Sequence, residues 1–267
     1  MQGEDLFLDS LIEPYRSQAL DVLRRRLKDI DGFIAPNRYY ADFMAGYLDV
    51  PRESIHVVPL GLNLEGYGEV AAAGRDGSPA VGYLARICPE KGFHLLAEAF
   101  KHLCRESSSS TVTLRVAGYL GEKDRPYFQE VVQELKRSGL EDRLDYWGEV
   151  DRARKIEFLQ SIDVFSVPTV YHECKGLYVL EAMANSVPVV QPSHGSFPEL
   201  VRETGGGLLV DPESPEALAS ASQSLLDDHE ERDRLGRQGK EAVFRTFNAE
   251  AMAEASLAVY RRYAATS

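Results

Sequence analysis

The sequence has no apolar run approaching the roughly 20 residues needed to cross a bilayer. Its apolar runs, such as Val187 to Val190 around Pro188, are short, so no membrane span is expected. Cysteines are few: Cys88, Cys104 and Cys174 are an odd number at no metal-ligand spacing, with no segment resembling a signal peptide ahead of them. Plain thiols in a reducing cytoplasm are the expectation, with a peripheral place at the membrane left open. Positive charge is also short, 30 Lys and Arg against 42 Asp and Glu for a formal net charge of -12. That balance disfavours long-range attraction to nucleic acid, although a local basic site can exist within it. No G-x-G-x-x-G follows the first strand of the main α/β pattern, which ranks a Rossmann dehydrogenase low. No repeat of solenoid length is visible.

What is present is an ordinary globular balance, 44% hydrophobic and 27% charged over 267 residues, with room for one large domain or two smaller ones. Over 14–30, Ala19, Leu20, Leu23, Leu27 and Ile30 recur at three- or four-residue steps, a helical stripe. A strand at 32–35, a helix over 38–48 and a strand at 54–58 complete what reads as the tail of an α/β domain. Between 61 and 79 the glycines Gly61, Gly66, Gly68, Gly74 and Gly77, with few branched apolar residues, predict a surface linker and a domain boundary. Beyond it, strands at 80–85, 112–117, 143–147, 163–167 and 188–191 alternate with helices over 91–103, 125–137, 152–160 and 177–185. A short strand at 207–210 precedes helices over 215–226, 230–244 and 249–263, and Ser107 to Ser110 reads as a turn. This alternation predicts an α/β fold, a Rossmann-like parallel sheet with helices on both faces.

In such a sheet ligands bind outside the carboxyl ends of the strands, so the loops there carry the chemistry. After the strand at 80–85, Arg86 and Lys91 set two cations across a turn entering a helix, able to clamp a diphosphate or to stand as solvated surface charges. The loop 168–176 feeds the helix starting at Leu177, where free backbone N–H groups attract phosphate and Gly176 lets it come close. Glu181, one turn inside, can accept hydrogen bonds from ribose hydroxyls, and Glu173 from those of a sugar. The competing readings are a capping acid for Glu173 and a solvated helix residue for Glu181. The apolar stretches Ala182-Met183-Ala184 and Val187-Pro188-Val189-Val190 favour assigned partners for Glu181. In the loop after Trp147, backbone near Val150 can meet a base edge with Lys155 alongside, or Lys155 is a plain surface lysine.

This order of motifs resembles the C-terminal domain of retaining GT-B glycosyltransferases of the family-4 type, which includes many bacterial mannosyl- and glucosyltransferases. The resemblance runs from Val57-Val58-Pro59-Leu60-Gly61 through Val81 to Arg86 and Pro89-Glu90-Lys91-Gly92. It continues in the E-x7-E pair Glu173 and Glu181, Pro198-Glu199-Leu200-Val201, and Gly206 to Val210. It implies that Arg86 and Lys91 hold the donor diphosphate, Glu173 the sugar and Glu181 the ribose. Backbone around Gly176, Leu177 and Tyr178 is implied to meet phosphates and sugar, and Val150 and Lys155 the base. Two departures stand out. Cys174-Lys175 replaces the glycine and aromatic residue common in the family, which leaves the donor sugar open. Ser186 replaces the usual glycine after the helix, with Asn185 expected to take the left-handed conformation there.

Full-length members carry a complete N-terminal Rossmann-like domain, and this chain resembles them only from within the last third of that domain. The expected organisation is a remnant of the acceptor domain at 1–65, a donor-binding domain at 66–245 and a crossover helix at 246–267. The implied reaction transfers a hexosyl group from a UDP-, GDP- or ADP-sugar to an unidentified acceptor hydroxyl, with retention and no protein nucleophile. Arg86, Lys91 and the helix start would stabilise the leaving diphosphate, so no metal or other cofactor is expected. The single Asp-x-Asp, Asp29-Ile30-Asp31, lies in the remnant, away from that chemistry. The chain alone is expected to be inactive or incomplete. The rival reading is a non-catalytic nucleotide-sugar-binding module, completed by a missing N-terminal half or by self-association across an exposed apolar surface.

Overall fold

The computed structural model describes residues 1–68, 78–106 and 111–264. The turn expected at Ser107 to Ser110 and the part of the expected linker at 69–77 lie outside the described residues.

The N-terminal unit opens with α1 (Glu4–Asp9) and α2 (Tyr15–Arg26), and a 3-10 turn over Leu27–Asp29 continues α2. β1 (Phe33–Ala35), α3 (Arg38–Leu48) and β2 (Ile55–Val57) then form a two-stranded parallel sheet with its crossover helix, Phe33 facing Ile55 and Ala35 facing Val57. α3 starts where the Asn37 side chain accepts the Tyr40 N–H at 2.8 Å. Its Tyr40, Ala41, Met44 and Leu48 recur at helical spacing and bury one face against Ala35 and Ile55, making a small separate core. α1 has no sequence signature because six residues without a side-chain cap give no periodicity to read.

The second sheet is built from β3 (Ala80–Leu84), α4 (Phe93–Glu106), β4 (Thr113–Ala117), α5 (Arg125–Arg137), β5 (Leu144–Gly148), α6 (Arg152–Gln160) and β6 (Val164–Phe165). α7 (Leu177–Ala184), β7 (Val189–Pro192), α8 (Phe197–Thr204) and β8 (Gly207–Val210) complete it, before α9 (Pro215–Asp227), α10 (His229–Thr246) and α11 (Ala249–Ala264). The six strands lie in the order β5-β4-β3-β6-β7-β8, with every pairing parallel. All of β3 is buried, as helices on both faces require. This is the Rossmann-like α/β fold that the strand and helix alternation predicts. α8 was not expected, because its eight residues contain Pro198 and sit between glycine-rich turns. The helix expected from residue 91 begins at Phe93, since Pro89–Lys91 tightens into a 3-10 turn ended by left-handed Gly92.

Residues 61–68, read as a surface linker, are packed instead: Leu62 and Tyr67 are buried. The Leu62 N–H donates to the Phe247 carbonyl at 2.8 Å, and the Leu62 carbonyl accepts from the Ala249 N–H at 3.0 Å. The two crossings of the chain between the units are thus joined side by side, and a Cβ on Gly61 would come 2.1 Å from the Asn248 carbonyl oxygen. α11 returns to the N-terminal unit, where the Tyr263 hydroxyl lies 2.8 Å from His56 Nε2. Among the described residues no helix is long and apolar enough to cross a membrane.

At the end of α7 the expected backbone role moves by one residue. Asn185 has φ -96, and Ser186 itself takes the left-handed conformation at φ 59. A side chain there carries a cost of about 1 kcal/mol that glycine lacks. Ser186→Gly is therefore expected to raise stability by about that amount, about 2–4 °C in melting temperature for a chain of this size. Thermal denaturation followed by circular dichroism checks it; an unchanged or lower melting temperature would count against the assignment.

Candidate active site

β3 has β4 on one side and β6 on the other, so the order of travel across the sheet reverses between β3 and β6. A crevice outside the carboxyl ends of the strands opens at such a point. The loops after β3 and β6 meet there: the Val170 N–H donates to the Glu90 carbonyl at 3.0 Å. A Cβ on Gly92 would lie 1.8 Å from the Pro168 carbonyl oxygen, so only glycine, here at φ 71, lets the two loops close to this distance.

Glu173 sits at the centre of this junction. Its Oε2 accepts from Lys91 Nζ at 2.7 Å, the Tyr171 hydroxyl at 2.8 Å and the Tyr178 hydroxyl at 2.9 Å. Its Oε1 accepts from the backbone N–H groups of Cys174 and Lys175, both at 3.0 Å. Lys91 Nζ also lies over the rings of Tyr171 and Tyr178, 5.0 and 4.8 Å from their centroids. Glu173 therefore does not cap α7. That helix starts at left-handed Gly176 with no side-chain cap on its first amides, which leaves its positive dipole end at the close of this loop.

Burial opposes ionisation of Glu173, yet the Lys91 charge and hydrogen bond, the Lys175 N–H and the Tyr171 hydroxyl outweigh it and hold the carboxyl down to about 2. The folded-state value lies below that of the unfolded chain, so this group's stabilisation is complete above about pH 4.5 and is lost as pH falls towards 2. A displacement of that size corresponds to about 3 kcal/mol. Urea denaturation between pH 6 and 3 is expected to show a steeper loss of stability in the wild type than in Glu173→Gln; parallel curves would contradict it.

Glu181, in the second turn of α7, accepts from Lys155 Nζ at 2.5 Å and from the Tyr67 hydroxyl at 3.2 Å. Lys155 is thus an ion-pair partner within the site and not a plain surface lysine, and Glu181 is not a solvated helix residue. Arg152, one turn earlier on α6, donates to the carbonyls of Asn63 and Glu65 and stacks over Tyr67 at 5.4 Å, which folds 62–68 against the site. Val150 ends the turn after β5, partly buried against the core, and Gly148 beside it accepts the Gly118 N–H at 2.8 Å. Arg86 stays exposed, its Nε 3.4 Å from Cys88 Sγ, so the two cations read as one clamp are deployed differently in this structure. Sequence reasoning missed Tyr171 and Tyr67. An aromatic residue two positions before Glu173 is a local signal for the first, whereas nothing local marks the second.

A doubly wound parallel sheet, with an uncapped helix start and two lysine-held carboxylates at its switch point, is the arrangement of a Rossmann-like half of a GT-B fold. Residues 71–242, more than half of the chain, match the family described as glycosyl transferases group 1. The chain belongs to that family.

Among curated relatives, a D-inositol 3-phosphate glycosyltransferase from Xylanimonas cellulosilytica is 31% identical over 244 residues, covering 86% of this chain and 56% of the relative. An alpha-maltose-1-phosphate synthase from Mycolicibacterium smegmatis is 34% identical over 197 residues, covering 70% of this chain and 49% of the relative. The chain spans about half the length of the curated relatives it matches. Among solved structures, the sucrose-phosphate synthase of Thermosynechococcus elongatus superposes with a TM-score of 0.81 at 26% identity, over 98% of this chain and 66% of that one. Anabaena Alr3699/HepE, solved in complex with UDP and glucose, shares the fold with a TM-score of 0.77 at 21% identity, over 92% of this chain and 67% of that one.

Proposed function

We propose that this chain is the donor-binding part of a retaining glycosyltransferase that moves a hexosyl group from a nucleoside diphosphate sugar to an acceptor hydroxyl. The observation that carries this reading is the pair of buried or half-buried carboxylates, each held by a lysine, on either side of the uncapped start of α7. Residues 66–245 form the donor-binding domain, 1–65 the remnant of the acceptor domain and 246–267 the crossover. The diphosphate lies against the first amides of α7 at Gly176, Leu177 and Tyr178, with Arg86 and Lys91 supplying positive charge. Glu181 faces the ribose and Glu173 the sugar, while backbone near Val150 meets the base beside Lys155.

In the transfer, the bond from the anomeric carbon to the diphosphate oxygen breaks and its electron pair leaves with the diphosphate. The acceptor oxygen forms its new bond on the same face, which retains configuration, and its O–H proton passes to the oxygen of the departing diphosphate. The fixed cations and helix dipole stabilise the growing negative charge without reorganising, so this reading does not call on a metal. The UDP and glucose bound to HepE support a nucleotide-sugar donor.

A second reading is a module completed by another polypeptide. Phe7 at 66% exposure, Ile12 at 73% and Tyr15 at 60% leave an apolar face on the N-terminal unit. Calorimetry with UDP-, GDP- and ADP-glucose on the wild type, Arg86→Ala and Glu181→Ala tests the first reading. Binding of one of the three, weakened at least tenfold by either substitution, is expected. No binding by the wild type would sink the donor assignment.

A further inference from the structure

Cys174, the residue after Glu173, is held on every side. Its N–H donates to Glu173 Oε1, its carbonyl accepts from Asn37 Nδ2 at 2.7 Å, and the residue, 5% exposed, packs into the N-terminal core with Ala35, Tyr40 and Met44. The following amide, the Lys175 N–H, donates to the same Glu173 oxygen at 3.0 Å. The Cys174 carbonyl and the Lys175 N–H belong to one planar trans peptide and therefore point in opposite directions. That plane carries Asn37 on one edge and Glu173 on the other.

Asn37 is itself fixed. It is 4% exposed, and its Oδ1 caps α3 through the Tyr40 N–H. Glu199, from α8 in the other unit, closes the same helix end by accepting from the Arg38 N–H at 2.9 Å and the Tyr39 N–H at 3.0 Å. Three of the four amides that a helix start leaves free are thereby satisfied, two of them across the boundary between the units.

We propose that Asn37 is a positioning residue for the sugar end of the site, orienting Glu173 through the Cys174–Lys175 peptide so that its carboxylate takes its alignment from the N-terminal unit. This rests on the reading of Glu173 as the group that holds the sugar, and adds what aims it. The two oxygens of Glu173 are controlled separately. Oε2 is held by Lys91, Tyr171 and Tyr178, all from the six-stranded unit, whereas Oε1 is held by the Lys175 N–H of the peptide that Asn37 grips and by the Cys174 N–H of the peptide before it. Glu181 is held by Lys155 and Tyr67, so the nucleotide end has no such dependence on residues 1–58. Parting of the two units would break the Asn37 and Glu199 bonds together and release only the sugar end.

Asn37→Ser separates this role from a structural one, because serine caps a helix as well as asparagine does but is too short to reach the Cys174 carbonyl. The full chain would be titrated with whichever of UDP-, GDP- or ADP-glucose the wild type binds best, and with the matching nucleoside diphosphate. The variant is expected to bind the nucleotide sugar at least fivefold more weakly and the diphosphate within twofold of wild type. Hydrogen exchange without ligand is expected to show the amides of Cys174 and Lys175 exchanging at least tenfold faster, with α3 unchanged. Equal losses for both ligands, undiminished sugar binding, or unaltered exchange at these two amides would overturn the positioning role. A wild type that binds none of the three sugars would remove the donor reading and this role with it, while exchange would still report whether the peptide link exists.

Discussion

Glu173→Gln is expected to lower stability by about 3 kcal/mol, the order seen when one member of a buried ion pair is removed. It is also expected to weaken nucleotide-sugar binding at least tenfold while leaving the nucleoside diphosphate within about twofold. The carboxylate side chain is 6% exposed and that of Lys91 14%, so water does little to compensate the lysine once its partner is neutral. Geometry sharpens the effect. Both carboxylate oxygens receive donors, Lys91 and two tyrosine hydroxyls on one, two backbone N–H groups on the other. Glutamine must present its NH2 to one of these sets, and the backbone amides cannot turn into acceptors. Urea denaturation at pH 7 and calorimetry with matched sugar and sugar-free ligands read the two effects. Equal affinity ratios in variant and wild type would refute the sugar assignment, and a covalent glycosyl adduct trapped on the enzyme would refute the absence of a protein nucleophile.

The second large effect is structural. Gly92→Ala is expected to destabilise the chain by about 3 kcal/mol or more and to abolish donor binding. The new Cβ would fall 1.8 Å from the Pro168 carbonyl oxygen, a backbone atom that cannot swing aside. Relief requires the loops after β3 and β6 to move apart, which breaks the Val170 to Glu90 hydrogen bond and pulls Lys91 off Glu173. Gly139→Ala is the matched control: the φ is the same, 71, but nothing lies within 4 Å of the added atom. It is expected to carry only the left-handed penalty, about 1 kcal/mol. If the two variants melt together, contact between the loops is not what requires glycine at 92.

The sequence made the sheet legible because two-faced burial writes itself as short apolar runs, such as Ala80 to Leu84, between helices of regular period. The candidate site was legible where its parts are close along the chain: Glu173, Gly176 and Glu181 fall within one loop and one helix. It was illegible where partners are distant. Lys91 reaches Glu173 over 82 positions and Tyr67 reaches Glu181 over 114, and no local pattern reports such pairings. Asn37 reaches Cys174 over 137 positions and carries no sequence signal for that contact. Composition misled at 61–68, where glycine marks close contact between chain segments and not slack.

The joined crossings at Leu62 and Phe247 to Ala249 make the six-stranded unit, seen from its neighbour, an insertion with its entry and exit tied together. The chain enters at 63 and leaves at 246 through segments bonded side by side, so the N-terminal unit and α11 form a host that the six-stranded unit interrupts, with Cys174 and Glu199 touching that host again through α3 and Asn37. Closing the host's chain across that gap would span only the distance between two paired strands. Such a cassette is the kind of segment that can be lifted out or grafted elsewhere without stretching either partner, because its ends already meet.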